Sequence, residues 1–335
     1  MDQQSFLLQC REESEISNFA AELSDLLSLS LDAIYRRMRG TTPLNYLEIQ
    51  KICNHYNVSF DATINYSGRN HPFQFTPMFD EGKFNLEGYF VQVRQQIEHF
   101  LKFDQLSMTI VAMDIPHFRL IGYPNLLRFK LFYWQRSILN KADYRLIKFN
   151  PNQGNSEIDK AAADIYLKYH QLDSEEIWSP ETLNSTLKQI TYGIEAGYFE
   201  KVEDAIMICD DLHQLLDKIE HEALVSKKHI KNNVESRKGD FNLYQSEILL
   251  GNNTIQVKAN CKYYTYVGFN SFNSLMSHSP AFTEECQKWI EQIKSKSNLL
   301  NYGSEKQRYN FFHNLKEKVN NIKLEIRKEL IETRI

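Results

Sequence analysis

The apolar residues of the first 65 positions fall at helical spacing, and a short polar break interrupts them. Ile16, Phe19, Ala20, Leu23, Leu26 and Leu27 recur three and four residues apart. Ser28-Leu29-Ser30 ends that run, and Ser30 is placed to cap a following helix with Asp32 in its first turn. The second helix runs to Gly40, a residue suited to the position just past a helix end. Thr42-Pro43 reads as the N-cap and first residue of a third helix carrying Leu44, Leu47, Ile52, Cys53 and Tyr56. Ser59 or Asp61 opens a last short turn. A chain that begins this way begins as a bundle of short helices.

Two of these helices, about 17–27 and 31–39, are joined by a tight turn and have the layout of a helix-turn-helix. Ile34 and Met38, four apart, face the core. Asp32, Ala33, Arg36 and Arg37 then face outward, at the base edges of a major groove, where Arg bonds guanine O6 and N7 bidentately. Arg39 and the Thr41-Thr42 turn are placed for the phosphate backbone.

The run Phe19-Ala20-Ala21-Glu22-Leu23, the ending Ile34-Tyr35-Arg36-Arg37-Met38-Arg39-Gly40 and the spacing Leu47-x-Ile49-x-x-Ile52-Cys53 resemble phage-repressor-like (Cro-type) helix-turn-helix domains. Two positions depart from that pattern. Ala20-Ala21 stands where the family has Leu-Ala, and Leu27-Ser28 stands where it has a glycine. The resemblance covers about 60 residues. It implies a bacterial transcription regulator with double-stranded DNA as its partner, acting as a homodimer. Asp114-Ile115-Pro116, Glu176-Ile177-Trp178-Ser179 and the stretch from Ser304 to Phe312 look like the long C-terminal part of such regulators, to which no ligand or activity is attached.

Charge argues the other way. Residues 1–65 hold five Lys and Arg against nine Asp and Glu, and phosphate neutralisation supplies most non-specific DNA affinity. The positive charge is concentrated at 36–39. The alternative reading is a protein-interaction module, in which Arg36, Arg37 and Arg39 form a solvated face of a helical bundle that never meets DNA.

The expected domains are a DNA-binding domain at 1–65, a linker at 66–86 and a sensor or dimerisation region at 87–335. The linker holds turn formers without a period. Residues 87–235 read as helical, with candidates at 87–105, 124–140, 157–172, 179–196 and 201–232, and a lone strand at Leu106–Met113. Within 240–335, Phe241–Leu250, Thr254–Ala259 and Lys262–Phe269 read as three strands of a small antiparallel meander. Helices near 270–276, 280–296 and from about 304 follow. The fold class is therefore mainly α, and α+β overall.

The formal net charge of −4 excludes a polycation that coats nucleic acid. Five scattered cysteines without a CxxC, no basic apolar leader and no apolar run of membrane length point to a cytoplasmic protein and no membrane. No nucleotide, nucleophile-elbow or zinc-protease motif occurs, so no enzyme and no cofactor are expected. Asp210, His213, Asp217 and His221 share a helix face and could hold a divalent metal, but a solvated face is the favoured reading. Lys227, Lys228, His229, Lys231, Arg237 and Lys238 form a basic segment, read as a solvated helix end. Phe311, Leu315, Val319, Ile322, Ile326 and Leu330 form a stripe that either pairs two chains or packs on its own domain.

Overall fold

The computed structural model describes residues 3–14, 18–56, 58, 60, 71–79, 84–230 and 239–332. Ile16, Ser59, Asp61, linker residues 66–70 and 80–83, and Lys231, Arg237 and Lys238 lie outside the described residues. The chain divides into two compact units, Met1–Gln74 with Ser277–Phe282 and Phe75–Met276 with Thr283–Ile335.

Among the described residues the first unit packs four helices: α1 (Gln3–Ser14), α2 (Phe19–Leu27), α3 (Leu31–Met38) and α4 (Tyr46–Tyr56). Phe6, Leu7 and Cys10 of α1 join Phe19, Leu23, Leu27, Ile34 and Ile52 in one buried core. The third expected helix starts later than Thr42-Pro43 implies. The Glu48 amide donates to Asn45 Oδ1 at 2.9 Å and the Asn45 amide donates to Glu48 Oε2 at 3.0 Å. This reciprocal capping box, Asn-x-x-Glu, satisfies two otherwise orphaned N–H groups and sets the start at Tyr46.

Among the described residues the second unit is built on a sheet of seven strands. In chain order its elements are α5 (Leu86–Phe100), β1 (Leu106–Ala112), α6 (His117–Leu120), α7 (Pro124–Tyr133) running into a π turn (Trp134–Ile138), α8 (Ser156–Tyr169) and β2 (Asp173–Trp178). Then follow α9 (Asn184–Glu195), α10 (Glu203–Val225), β3 (Phe241–Gln245), β4 (Thr254–Ala259), β5 (Lys262–Phe269), β6 (Asn273–Ser277), α11 (Pro280–Ser295), β7 (Asn298–Leu299) and α12 (Glu305–Glu332). The strand order is β6-β5-β4-β1-β2-β3-β7. β1, β2 and β3 run parallel to one another, while β4 pairs antiparallel with β1 and β5. Ile110 and Ala112 enter the main helical core, and Val111 and Ile177 enter a smaller one with Ile290 and Ile293 of α11. The sheet is thus covered on both faces, as parallel strands require.

The α+β class holds, and the sheet is larger than the expected meander. Leu106–Ala112 is a central strand, not a lone one. Phe241–Gln245 lies beside β2 and not beside β4. The short helix expected near 270–276 is instead the turn into β6. Asn270 and Ser271 both take positive φ, 51° and 65°, and consecutive left-handed residues cannot belong to a right-handed helix.

β2 carries two glutamates that find cations, Glu175 with Lys294 at 2.6 Å and Glu176 with Arg119. Glu176 is buried and accepts from Arg119 Nε at 2.7 Å, from Trp178 Nε1 at 2.8 Å and from the Tyr169 hydroxyl. Arg119 also pairs with Glu222 of α10. Burial alone would favour a neutral Arg119, but Glu176, Tyr169 and Glu222 outweigh it and hold its proton more firmly than usual. Lys228 of the expected solvated segment is fully buried and donates to the carbonyls of Tyr169 and Leu172 at 2.8 and 2.7 Å.

The α12 stripe packs inside its own unit. Phe311, Leu315, Val319 and Ile326 are buried in the main core, so the stripe is not a seam between chains. Lysines of α12 also occupy the carboxylates of the 210–221 face. Lys316 lies 2.6 Å from Asp217, and Lys323 pairs with Asp210. Among the described residues no group of three or more His, Cys, Asp or Glu could hold a metal ion, and no helix is long and apolar enough to cross a membrane.

Candidate nucleic-acid interface

The turn between α2 and α3 is three residues long, Ser28-Leu29-Ser30. Ser28 closes α2 in the left-handed region at φ 54°. That is the conformation a glycine would adopt without cost, so a serine fills the same role here under mild strain. The Leu29 amide returns to the Ser24 carbonyl at 3.0 Å, and the Ser24 hydroxyl donates to the Leu29 carbonyl at 2.5 Å. Ser30 Oγ accepts from the Ala33 amide at 3.3 Å and caps α3, as its sequence position implies.

Ile34 is buried and Met38 packs against the same core, which fixes the inner side of α3. The side chains of Asp32 and Arg36 point to solvent and pair one helical turn apart at 2.8 Å. Ala33 is half-buried. Arg39 is exposed at the C-cap, and Thr41 is exposed with its hydroxyl donating to the Arg36 carbonyl at 2.9 Å. Thr42 is half-buried.

Arg37 differs from its companions. Its guanidinium turns to α4 and donates to Glu48 through Nη2 at 2.7 Å and Nε at 3.1 Å, and to the Ala33 carbonyl through Nη1 at 3.3 Å. The expected outward placement of Arg37 is thus replaced by an inward one. Burial pushes the Glu48 carboxyl up, but the Arg37 hydrogen bonds, the Asn45 amide and the nearby cations outweigh it and hold it below the usual carboxylate range.

Several further residues shape this unit. Gln3 of α1 donates to the carbonyls of Arg37 and Thr42 at 2.7 and 2.8 Å and accepts from the Leu44 amide at 2.5 Å. Gln4 donates to the Arg39 carbonyl at 2.6 Å. These two amides clamp the loop that carries Arg39, Thr41 and Thr42. Gly40, at φ 73°, permits the turn that brings them there. Leu31 and Tyr35 are also exposed on α3, one helical turn apart. Nothing local marks the glutamines. Tyr35 lies within the quoted motif and one residue from Ile34, so its exposure follows from helical spacing alone.

No curated protein and no solved structure matches this chain. Residues 12–81, which contain α2, the turn, α3 and α4, match the BetR domain, a helix-turn-helix-like regulatory domain family.

Proposed function

We propose that this protein is a sequence-specific DNA-binding transcriptional regulator that inserts α3 into the major groove. The observation that carries this reading is the two-sidedness of α3. Ile34 is buried beneath it, while Asp32, Arg36 and Tyr35 are exposed on it and Arg39 is exposed at its end. A helix held rigidly from behind, with a polar face free and a three-residue turn before it, is what base readout requires. In this reading Arg36, with Asp32 and Ala33, meets base edges, and Tyr35 and Leu31 offer apolar contact to thymine methyl groups. Arg39, Thr41 and Thr42 meet phosphates. Arg37 positions the helix through Glu48. A homodimer on a two-fold symmetric site is the arrangement that gives such a small module its affinity.

The acidic balance of the first 65 residues favours the second reading, a surface that binds a partner protein through Leu31 and Tyr35. Selection from a random DNA pool with the full-length protein at moderate salt separates the two. An enriched motif that is lost in the Arg36→Ala/Arg39→Ala double variant supports the regulator, and a palindrome supports the dimer. No enrichment at any salt moves the assignment to protein interaction.

A further inference from the structure

The loop between α3 and α4 carries Arg39, Thr41 and Thr42, and its own backbone secures only its first half. The Thr41 and Thr42 amides return to the Arg36 carbonyl at 3.0 and 3.4 Å, and the Gly40 amide to the Arg37 carbonyl at 2.9 Å. Pro43 has no N–H to give. Among the described residues the Thr42 carbonyl and the Leu44 amide meet only the side chain of Gln3. Order returns at Asn45, where the capping box of α4 begins.

The Gln3 carboxamide is fully engaged. It donates to the carbonyls of Arg37 and Thr42 at 2.7 and 2.8 Å and accepts from the Leu44 amide at 2.5 Å. Two donors and an acceptor on one group are what a carboxamide offers, whereas a carboxylate has no donor and a thioether none either. Gln4 adds a bond of 2.6 Å to the Arg39 carbonyl. Phe6, Leu7 and Cys10 anchor α1 in the core of the first unit and so hold both glutamines against the loop.

We infer that Gln3 is a positioning residue for contacts to the DNA backbone. It orders Thr42–Leu44 in advance, so that Arg39, Thr41 and Thr42 meet phosphates without a further ordering step. This role rests on the DNA-binding reading, and it adds α1, which precedes the helix-turn-helix, to the binding module. Without Gln3 the second half of the loop is ordered only on binding, and fixing a single backbone residue weakens an equilibrium by about tenfold. Phosphate contacts carry no sequence information, so the loss is the same for every duplex.

The test is fluorescence anisotropy of the full-length protein, well below its melting temperature, on the selected motif and on a scrambled duplex. Gln3→Met is expected to weaken both by about tenfold and to leave their ratio unchanged. In an Arg39→Ala/Thr41→Ala/Thr42→Ala background the same change is expected to cost less than about twofold, because the contacts it positions are gone. A residue that only stabilises the fold would change neither affinity. Gln4 is exposed, so Gln4→Ala reports on the clamp where Gln3→Met fails to fold, with an expected loss of about fivefold on both duplexes. Leu44 amide exchange in the free protein reads the clamp without DNA and is expected to quicken at least about tenfold in Gln3→Met. Unchanged affinity in Gln3→Met, or in Gln4→Ala where Gln3→Met does not fold, overturns the role. So does a loss confined to the motif, an undiminished loss in the triple background, or unchanged exchange at Leu44. A wild-type protein that selects no motif removes the DNA-binding reading and this role with it, a result distinguished by being seen before any variant is made.

Discussion

The Arg37 guanidinium grips the Glu48 carboxylate with two hydrogen bonds, 2.7 Å from Nη2 to Oε1 and 3.1 Å from Nε to Oε2, and so ties α3 to α4. The two side chains are only 14% and 11% exposed. The pair therefore lies between a surface ion pair, worth little, and a buried one, which is expensive to break. Either Arg37→Ala or Glu48→Ala should destabilise the first unit by about 1–3 kcal/mol. The double variant should lose less than the sum, because neither charge is then stranded. Urea unfolding of the four proteins measures the coupling. The pH sign follows from the lowered Glu48 carboxyl. Its contribution is full above 4.5, the ordinary value, and is lost as pH falls through the depressed folded one.

Arg36, Arg37 and Arg39 should separate in DNA binding, although they are neighbours in sequence. Arg36→Ala should cost about 1–3 kcal/mol of specific affinity and relax the preference at one base position. Arg39→Ala should weaken all sequences alike and reduce the salt slope by about 1. Arg37→Ala should act only through folding, so binding measured well below its melting temperature should recover in an Arg37→Met/Glu48→Met variant. An Arg37→Met/Glu48→Met protein that folds yet has lost its base preference would put Arg37 back in the groove. Electrophoretic mobility or anisotropy titrations against the selected motif supply these numbers.

Ser28 offers a stabilising substitution. A non-glycine residue in the left-handed region carries a penalty of roughly 1–2 kcal/mol, and glycine returns part of any gain through the greater entropy of its unfolded chain. Ser28→Gly should therefore raise the stability of the first unit by about 0.5–1 kcal/mol. Base preference should stay unchanged, since Ser28 precedes the exposed face of α3. A drop in thermal midpoint would mean that the serine side chain has a role beyond the turn.

The helix-turn-helix was readable because its determinants are local. Apolar spacing, the Ser30 cap and the turn all lie within about a dozen residues of one another. The inward turn of Arg37 is not legible, because its partner Glu48 sits eleven residues away on another helix, and an arginine three residues from a core isoleucine reads by default as solvated. The same limit hid β2. Its Glu175 and Glu176 look like a polar loop until Lys294 and Arg119, 119 and 57 residues away in sequence, neutralise them. Parallel pairing of β1, β2 and β3 has no local signature at all, whereas the β4–β5 hairpin, with Asn260 at its turn, is legible in the sequence.

His170 makes the second unit sensitive to mild acid. Its Nδ1 lies 2.7 Å from the Tyr166 carbonyl, which can only accept, so Nδ1 carries the proton. Its Nε2 lies 2.7 Å from Lys218 Nζ, which can only donate in its charged form, so Nε2 is the acceptor. The geometry fixes a neutral imidazole, and a second proton would point at an ammonium group. Burial, followed by opposing influences of Glu222 and of Lys218 and Arg119, leaves His170 lowered to about 4. His117 is lowered to about 4 as well, again chiefly by burial. In the unfolded chain both return to the ordinary 6.5. The unfolded state therefore binds more protons between 6.5 and about 4, and stability is full above that window and falls as pH drops through it. Each imidazole should contribute a slope of about 1.4 kcal/mol per pH unit. Trp134, Trp178 and Trp289 all belong to the second unit, so their fluorescence follows its urea transition. Measured from pH 6 to 5, before most ordinary carboxylates titrate, the slope should approach about two protons and should drop by about one in His170→Gln. A flat profile, or a slope unchanged in that variant, would show that the unit accommodates a charged His170 and that Lys218 gives way instead.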